Sequence, residues 1–321
     1  MKTLHHFVQR FYLKAWAPKG QVFCLQNRAI TPRNLMKVAA QNYFYRLNEI
    51  SPEDAEFVDK LLIEKSPEGL KESHHLLLRA FALPHIAKRR LEEQKETLEK
   101  LGKVVDEDAF EESMALIDQQ IVELNENYHT SIENMFQPIL ESMKAGDLTF
   151  LGDPDKRFAF YYGLSVQYAR TNHIGGARSV MKGSDFERYL RIANVLTHII
   201  AINVGRSLIG DHKHHRILLL DNTTDIPFVT ADQPVINLSA RPRNFEPPAS
   251  FELYYPISPT RALMLLKPDS VHMPSSLSMS AEQVHHYNLL MAAHSFRQVY
   301  SNSDAELEAI NLELQAFLSC F

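Results

Sequence analysis

The segment Leu208-Ile209-Gly210-Asp211-His212-Lys213-His214-His215-Arg216-Ile217-Leu218-Leu219-Leu220 marks a change of pattern along the chain. Before it, residues 186–208 carry Leu190, Ile192, Val195, Leu196, Ile199, Ile200, Ile202, Val204 and Leu208, apolar groups on nearly every face of a helix, which predicts burial. After it, the runs 217–220, 227–230, 234–238, 251–256 and 262–266 are short, apolar and set off by Asp, Asn and Pro, which predicts an antiparallel sheet. Helix first and sheet second is the order of an α+β chain rather than of a parallel α/β one.

Working toward the N-terminus, Ser66-Pro67-Glu68, Ser51-Pro52-Glu53-Asp54 and Thr31-Pro32 each place a capping hydroxyl before a proline, the pattern of a helix start. Residues 76–100 are rich in Leu, Glu, Lys and Arg with one proline, Pro84, and predict a long exposed helix. Phe110, Met114, Ile117, Ile121 and Leu124 recur at three and four and predict an amphipathic helix, and Ile132, Met135 and Phe136 predict another, the two forming a helical hairpin. Residues 21–25 read as a short strand. Toward the C-terminus, a helix is expected from Ser280 through Phe296, a short segment at Val299-Tyr300 and a last helix from Asp304. The expectation is α+β: a helix-rich N-terminal half with a long helical hairpin, and a small antiparallel sheet in the C-terminal half packed on the buried helix. It is one unit over 1–321, with a helical excursion at 84–147 as a subdomain.

With 321 residues, 45% of them hydrophobic and 23% charged, the composition is that of a globular protein and excludes disordered, collagenous and fibrous classes. No run of 18 residues lacks a charge, and His5 and His6 interrupt the stretch where a leader would need apolar residues, so no membrane partner is expected. Cys24 and Cys320 match no metal or redox spacing, which fits a reducing, cytoplasmic setting. Residues 1–50 hold eight Lys or Arg against Glu49 alone, a balance of +7, whereas residues 51–150 hold eleven bases and twenty-two acids, a balance of −11. The first segment is either a surface for phosphate or nucleic acid or a basic face balanced by the acidic helices.

Gln167 and Arg170 lie three apart on a predicted helix, with Thr171 and His173 beyond them; the guanidinium either clamps a phosphate or pairs with a carboxylate from the acidic half. Asp232 stands in Thr230-Ala231-Asp232-Gln233-Pro234, between two strands, as a base, a ligand, an Arg partner or a turn former. Asp211, His212, His214 and His215 resemble a metal cluster but lack zinc-like spacing, and no metal site is assigned. The pairs His74-His75 and His285-His286 point apart on their helices. Arg191 and His198 loosely match the Arg-to-His spacing of a helical ribonuclease superfamily, although Ile192 stands where those enzymes usually carry a polar residue. There is no P-loop, GxGxxG, GxSxG or HExxH.

Five segments in order, 6–16 (HFVQRFYLKAW), 42–45 (NYFY), Gln167 with Arg170-Thr171, 228–235 (FVTADQPV) and 256–259 (PISP), resemble the bacterial domain-of-unknown-function 4238 family, over about residues 6–301. The chain has Gln9 where that family has proline, Ala231 where it commonly has serine and Gln233 where it commonly has asparagine. The resemblance implies one evolutionary unit and no reaction. It singles out His6, Gln167, Arg170, Asp232 and Ser258 as catalytic candidates, and Arg10, Tyr12, Thr171, Thr230 and Gln233 as substrate-binding ones. Two functions follow as expectations. One is a hydrolase or nuclease-like effector on a phosphate-bearing substrate, a nucleotide or nucleic acid, in phage defence or stress response. There Asp232 is base or metal ligand, His6 is acid or base and Arg170 holds developing negative charge. The other is a non-catalytic sensor or binding module whose motif residues form a structural polar network. No cofactor is assigned.

Overall fold

The computed structural model describes residues 3–180, 183–242, 248 and 250–321, with the side chains of 171–180, 184 and 185 outside the described set. In chain order the elements are β1 (Leu4–His6), α1 (Arg10–Leu13), β2 (Gln21–Gln26), β3 (Ala29–Asn34), β4 (Ala40–Asn42), α2 (Pro52–Val58), α3 (Glu68–Lys100), α4 (Glu107–Lys144) and α5 (Pro154–Val180). There follow α6 (Ser184–Gly210), β5 (Arg216–Asp221), β6 (Thr230–Ala231), β7 (Ile236–Asn237), β8 (Leu253–Ser258), β9 (Arg261–Leu266), α7 (Ala281–His294), β10 (Val299–Ser301) and α8 (Asp304–Leu318). The fold is α+β: the long helices run through the middle of the chain, and the antiparallel sheets draw strands from either side of them. The chain divides into two compact units, one of Met1–His5, Gln41–Ser131 and Met181–Asn203, the other of His6–Ala40, Ile132–Val180 and Val204–Phe321. Segment 84–147 is accordingly shared, up to Ser131 in the first unit and from Ile132 in the second.

The first unit is helical. Ser51 caps α2 by accepting the backbone N–H of Asp54 at 3.1 Å, and the Asp54 carboxylate accepts the N–H of Ser51 in return, the reciprocal box that the Ser-Pro-Glu-Asp sequence encodes. Asp54 also receives Nε and Nη2 of Arg191 at 2.7 and 3.0 Å, which fastens α2 to α6. The apolar face of α6 within this unit, Ile192, Val195, Leu196 and Ile199, is buried. His198, also buried, meets Asn125 Oδ1 at 2.8 Å and contacts the rings of Phe81, Tyr128 and His129.

The second unit contains two four-stranded sheets, in the orders β3-β2-β10-β6 and β5-β9-β8-β7, where a single sheet was expected. Alternate residues of a strand face opposite ways, and here both faces are covered. Leu253, Tyr255 and Ile257 of β8 and Leu263 and Leu265 of β9 enter one apolar core with Phe136, Ile139, Leu140 and Met143 of α4 and Phe160, Tyr161 and Leu164 of α5. Tyr254 of β8 and Ala262, Met264 and Leu266 of β9 enter a second core with Val284, Leu289, Met291 and Ala292 of α7 and Leu307 and Ile310 of α8. Two-sided burial explains why 262–266 is apolar without alternation. In this unit the sheets face α4, α5 and the last turns of α6, where Leu208 is buried, while the earlier turns of α6 are buried in the first unit.

Thr31-Pro32 does not start a helix: both lie in β3, an edge strand paired only with β2, with Pro32 opposite Phe23. An edge strand tolerates proline because its outer N–H groups need no partner in the sheet. The hairpin turns through Asn27 and Arg28, at φ 52° and 63°, the left-handed pair that suits the strand twist.

Candidate functional site

Ten of the residues singled out from sequence belong to the second unit, and most of them are inside it. Tyr12, buried on α1, donates its hydroxyl to the Pro256 carbonyl at 2.6 Å and lies 2.5 Å from Thr230 Oγ1, itself fully buried. The ring stacks on Tyr255 at 5.1 Å, and burial pushes the Tyr12 hydroxyl well above the usual tyrosine range. A turn later Trp16 Nε1 donates to the Phe228 carbonyl at 2.6 Å. The opening motif therefore ties α1 and the turn after it to both ends of the sheet segments that carry the other motifs. Gln9, at the start of α1, has φ −61°, the value proline imposes, so the departure from the family's proline leaves the turn in place.

Asp232 occupies the step between β6 of one sheet and β7 of the other. Its carboxylate accepts three backbone N–H groups, from Phe296 to Oδ1 at 2.8 Å and from Arg297 and Gln298 to Oδ2 at 2.7 and 3.1 Å, while its own N–H donates to the Gln298 carbonyl at 2.9 Å. Only 5% of the residue is exposed. Burial drives its carboxyl up to about 6, against the opposing pull of the three N–H donors. This clamp holds the segment entering β10, which pairs with β6. Next to it Gln233 donates Nε2 to the Val235 and Tyr168 carbonyls at 2.7 and 3.2 Å, linking the step to α5.

Arg170, 3% exposed on α5, donates Nη1 to Glu133 Oε1 at 2.8 Å and Nη2 to the backbone carbonyl of His6. Gln167, one turn earlier, is buried, and its Nε2 has no hydrogen-bond partner among the described residues. Ser258 sits in the β8–β9 turn, where its Oγ accepts the N–H of Thr260 at 3.2 Å. Arg10 is exposed on α1, and the side chain of Thr171 lies outside the described residues, as does that of His173. Of the five catalytic candidates, Arg170 meets the backbone of His6. The Asp232 carboxylate and the Ser258 hydroxyl make their hydrogen bonds in the separate places just described. A groove of about 640 Å³ in this unit is lined by residues of 135–159 and by none of the five.

The other clusters resolve into local partnerships. His214 Nδ1 lies 2.7 Å from Asp211 Oδ1, and His212 Nδ1 lies 2.7 Å from the Ile209 carbonyl. His74 meets Asn203, and His75 meets Asp59. His285 lies between Glu306 and Glu313. No group of three His, Cys, Asp or Glu among the described residues is placed to hold a metal. Arg191 is engaged by Asp54 and His198 by Asn125.

Sequence reasoning anticipated a carboxylate from the acidic half on Arg170 without naming Glu133. It did not find Asn288, which accepts the Val229 N–H and donates to the Pro227 carbonyl and to Glu306. The signal was present but faint, a lone amide on an otherwise apolar face of α7.

Together these features define an α+β protein in which Tyr12, Thr230, Asp232, Gln233 and Arg170 are buried and hydrogen-bonded. The chain belongs to the family described as Protein of unknown function (DUF4238), whose profile matches residues 4–305. No curated protein and no solved structure matches it.

Proposed function

We propose that this chain is a non-catalytic binding module that docks a polyanion, a nucleic acid, through the basic residues of its second unit. One observation carries the reading: Arg10, Lys14, Lys19, Arg28, Arg33 and Lys37 are all exposed, and none takes part in an ion pair among the described residues. Exposed cations without an ion-pair partner gain by displacing counterions from a phosphate backbone. Arg33 is further oriented along the edge of β3 by its hydrogen bonds to Thr31 and Gln26.

The enzymatic reading asks Asp232 to accept a proton or a metal and Arg170 to hold a phosphate. With the Asp232 carboxylate filled by three backbone donors and Arg170 held by Glu133 and the His6 carbonyl, the arrangement favours a structural role for both. A cytoplasmic location belongs to the proposal, supported by two free thiols. Residues Phe186–Gly210 are long and apolar enough to cross a membrane by composition, but 56% of that window is buried within the protein.

The test is a fluorescence-anisotropy titration of labelled RNA and duplex DNA at two salt concentrations, on the wild type and on Lys14→Gln/Lys19→Gln/Arg28→Gln. The expected result is binding that weakens with salt, and a log-log slope for duplex DNA that falls by about three in the triple variant, at roughly 0.9 per phosphate contact. Absence of binding at low salt, or an unchanged slope in the variant, refutes the reading.

A further inference from the structure

The last turns of α4, the loop after it and the first turns of α5 enclose the groove of about 640 Å³, a size that suits a small ligand. Its apolar lining comes from Met135, Pro138 and Ile139 on α4, Phe150 in the loop, and Phe158 and Ala159 on α5. Phe158 is 49% exposed, an unusual state for phenylalanine, and its ring is stacked at 5.5 Å on Tyr162, which holds it in place.

The charge on the lining has one sign. Asp147, Asp153 and Asp155 stand against Lys156 alone, and the Lys156 amine is already 4.0 Å from Asp153 Oδ2. Asp153 spends Oδ1 on the N–H groups of Asp155 and Lys156 at the start of α5, whereas Asp155 has no ion pair among the described residues. Hydrogen bonds from Thr149 hold the Asp147 carboxyl below its usual range, so it stays ionised in mild acid. Ser142 and Thr149 complete the polar lining. Such a surface, net negative, disfavours anions and offers a neutral ligand apolar contact with a few hydrogen-bonding groups. A cation gains in addition from the excess of carboxylates over Lys156 and from the phenyl faces.

We propose that this groove binds a small organic cation, an alkyl- or arylalkylammonium, with its charged head at Asp147 and Asp155 and its hydrocarbon part on Met135, Ile139, Phe150 and Phe158. The site is assigned independently of nucleic-acid docking, since it uses none of the basic residues of 10–37.

Calorimetric titration of the full chain near neutral pH, in about 150 mM salt to screen the net negative charge of the protein, tests it with phenethylammonium as the probe. The control is 2-phenylethanol, which keeps the ring and lacks the charge. One molecule of the ammonium is expected per chain, with the alcohol about tenfold weaker or worse. Asp155→Asn and Phe158→Ala should each weaken the ammonium about two- to fivefold, the span of an exposed charge or cation–π contact, and Asp147→Asn combined with Asp155→Asn should do so about tenfold. Circular dichroism checks that each variant is folded. Should Asp147→Asn loosen its turn, Asp155→Lys decides alone: the charge reversal should weaken ammonium binding by about the square of the Asp155→Asn effect, roughly four- to twenty-five-fold, and leave the alcohol unaffected. The proposal is overturned by no saturable heat up to about 10 mM ammonium, well past the millimolar range of weak ligands. Equal binding of ammonium and alcohol, or folded Asp155 variants that bind like the wild type, also overturns it.

Discussion

Arg170 and Glu133 meet at 2.8 Å with the guanidinium almost wholly out of solvent and the carboxylate about a quarter exposed. A charge so enclosed is tolerable only while its partner is present, because water cannot replace the lost hydrogen bond. The pair joins α5 to α4, and the same guanidinium holds the backbone of His6 in the segment leading to α1.

Replacing Glu133 by Gln is expected to destabilise the protein by about 3 kcal/mol, the lower part of the range for removing one partner of a buried pair, since Glu133 keeps some solvent contact. Replacing both residues by apolar ones, Glu133→Leu with Arg170→Met, is expected to recover part of that loss. Urea unfolding of the single and double variants measures both. A single variant as stable as the wild type removes the pair from the list of structural ties.

Asp232 and Asp54 are expected to give opposite pH signatures. The Asp232 carboxyl is raised to about 6 from an ordinary 3.8, so the folded state binds its proton more tightly than the unfolded one. Its contribution to stability is full below about pH 4 and is lost as pH rises through 6. The Asp54 carboxyl is held below its usual range chiefly by the hydrogen bond from Arg191, so its contribution is present above about pH 4 and lost as pH falls. Comparing each wild-type unfolding curve with that of Asp232→Asn or Asp54→Asn between pH 3 and 7 isolates the two terms, because the other titrating groups cancel. At pH 7 the Asp232→Asn variant is also expected to lose about 1–3 kcal/mol, since its amide NH₂ must face at least one backbone N–H with no acceptor between them. If the wild type is found to hydrolyse a nucleotide or nucleic acid and a fully stable Asp232→Asn variant is not, the enzymatic reading returns.

Gly163 on α5 packs against Phe136 on α4, where a Cβ would clash with the Cγ–Cδ2 edge of the phenyl ring. Gly163→Ala is expected to cost about 1–3 kcal/mol from overpacking, despite the higher helix propensity of alanine. Gly163→Ala with Phe136→Leu should regain some of the loss. Thermal melts that rank the single variant above the wild type contradict the close approach.

Much of the architecture was legible because it rests on local pattern. Ser51-Pro52 and Ser280 announce capped helices, and the runs at 217–220 and 262–266 announce strands whose two faces are both covered. The hairpin partner β3 was not legible, because Thr31-Pro32 carries the same letters as a helix start and only its position at a sheet edge makes it a strand. The split into two sheets was hidden too, since β10 joins β2 and β6 across more than 200 residues of sequence on one side and about 70 on the other. At the site, the order of the motifs singles out Asp232 and Arg170, both of which are buried. What they bind could not be read, because the partners of Asp232 are backbone amides at 296–298, which leave no side-chain signature, and the partner of Arg170 is one acid among many on α4.

The order of strands in the first sheet bears on how the protein is made. β10 pairs with β2 on one side and β6 on the other, so an interior strand follows both of its neighbours in the chain. On the ribosome β2 and β6 must wait with open flanks until residues 299–301 emerge, and the amides at 296–298 that occupy Asp232 arrive only with them. A message truncated before that point yields chains with a gap in the middle of the sheet and a buried acid left without its donors, a species prone to aggregation and clearance. Closure of the first sheet thus waits on residues 296–301, and the basic hairpin on β2 and β3 gains its neighbouring strand only with them.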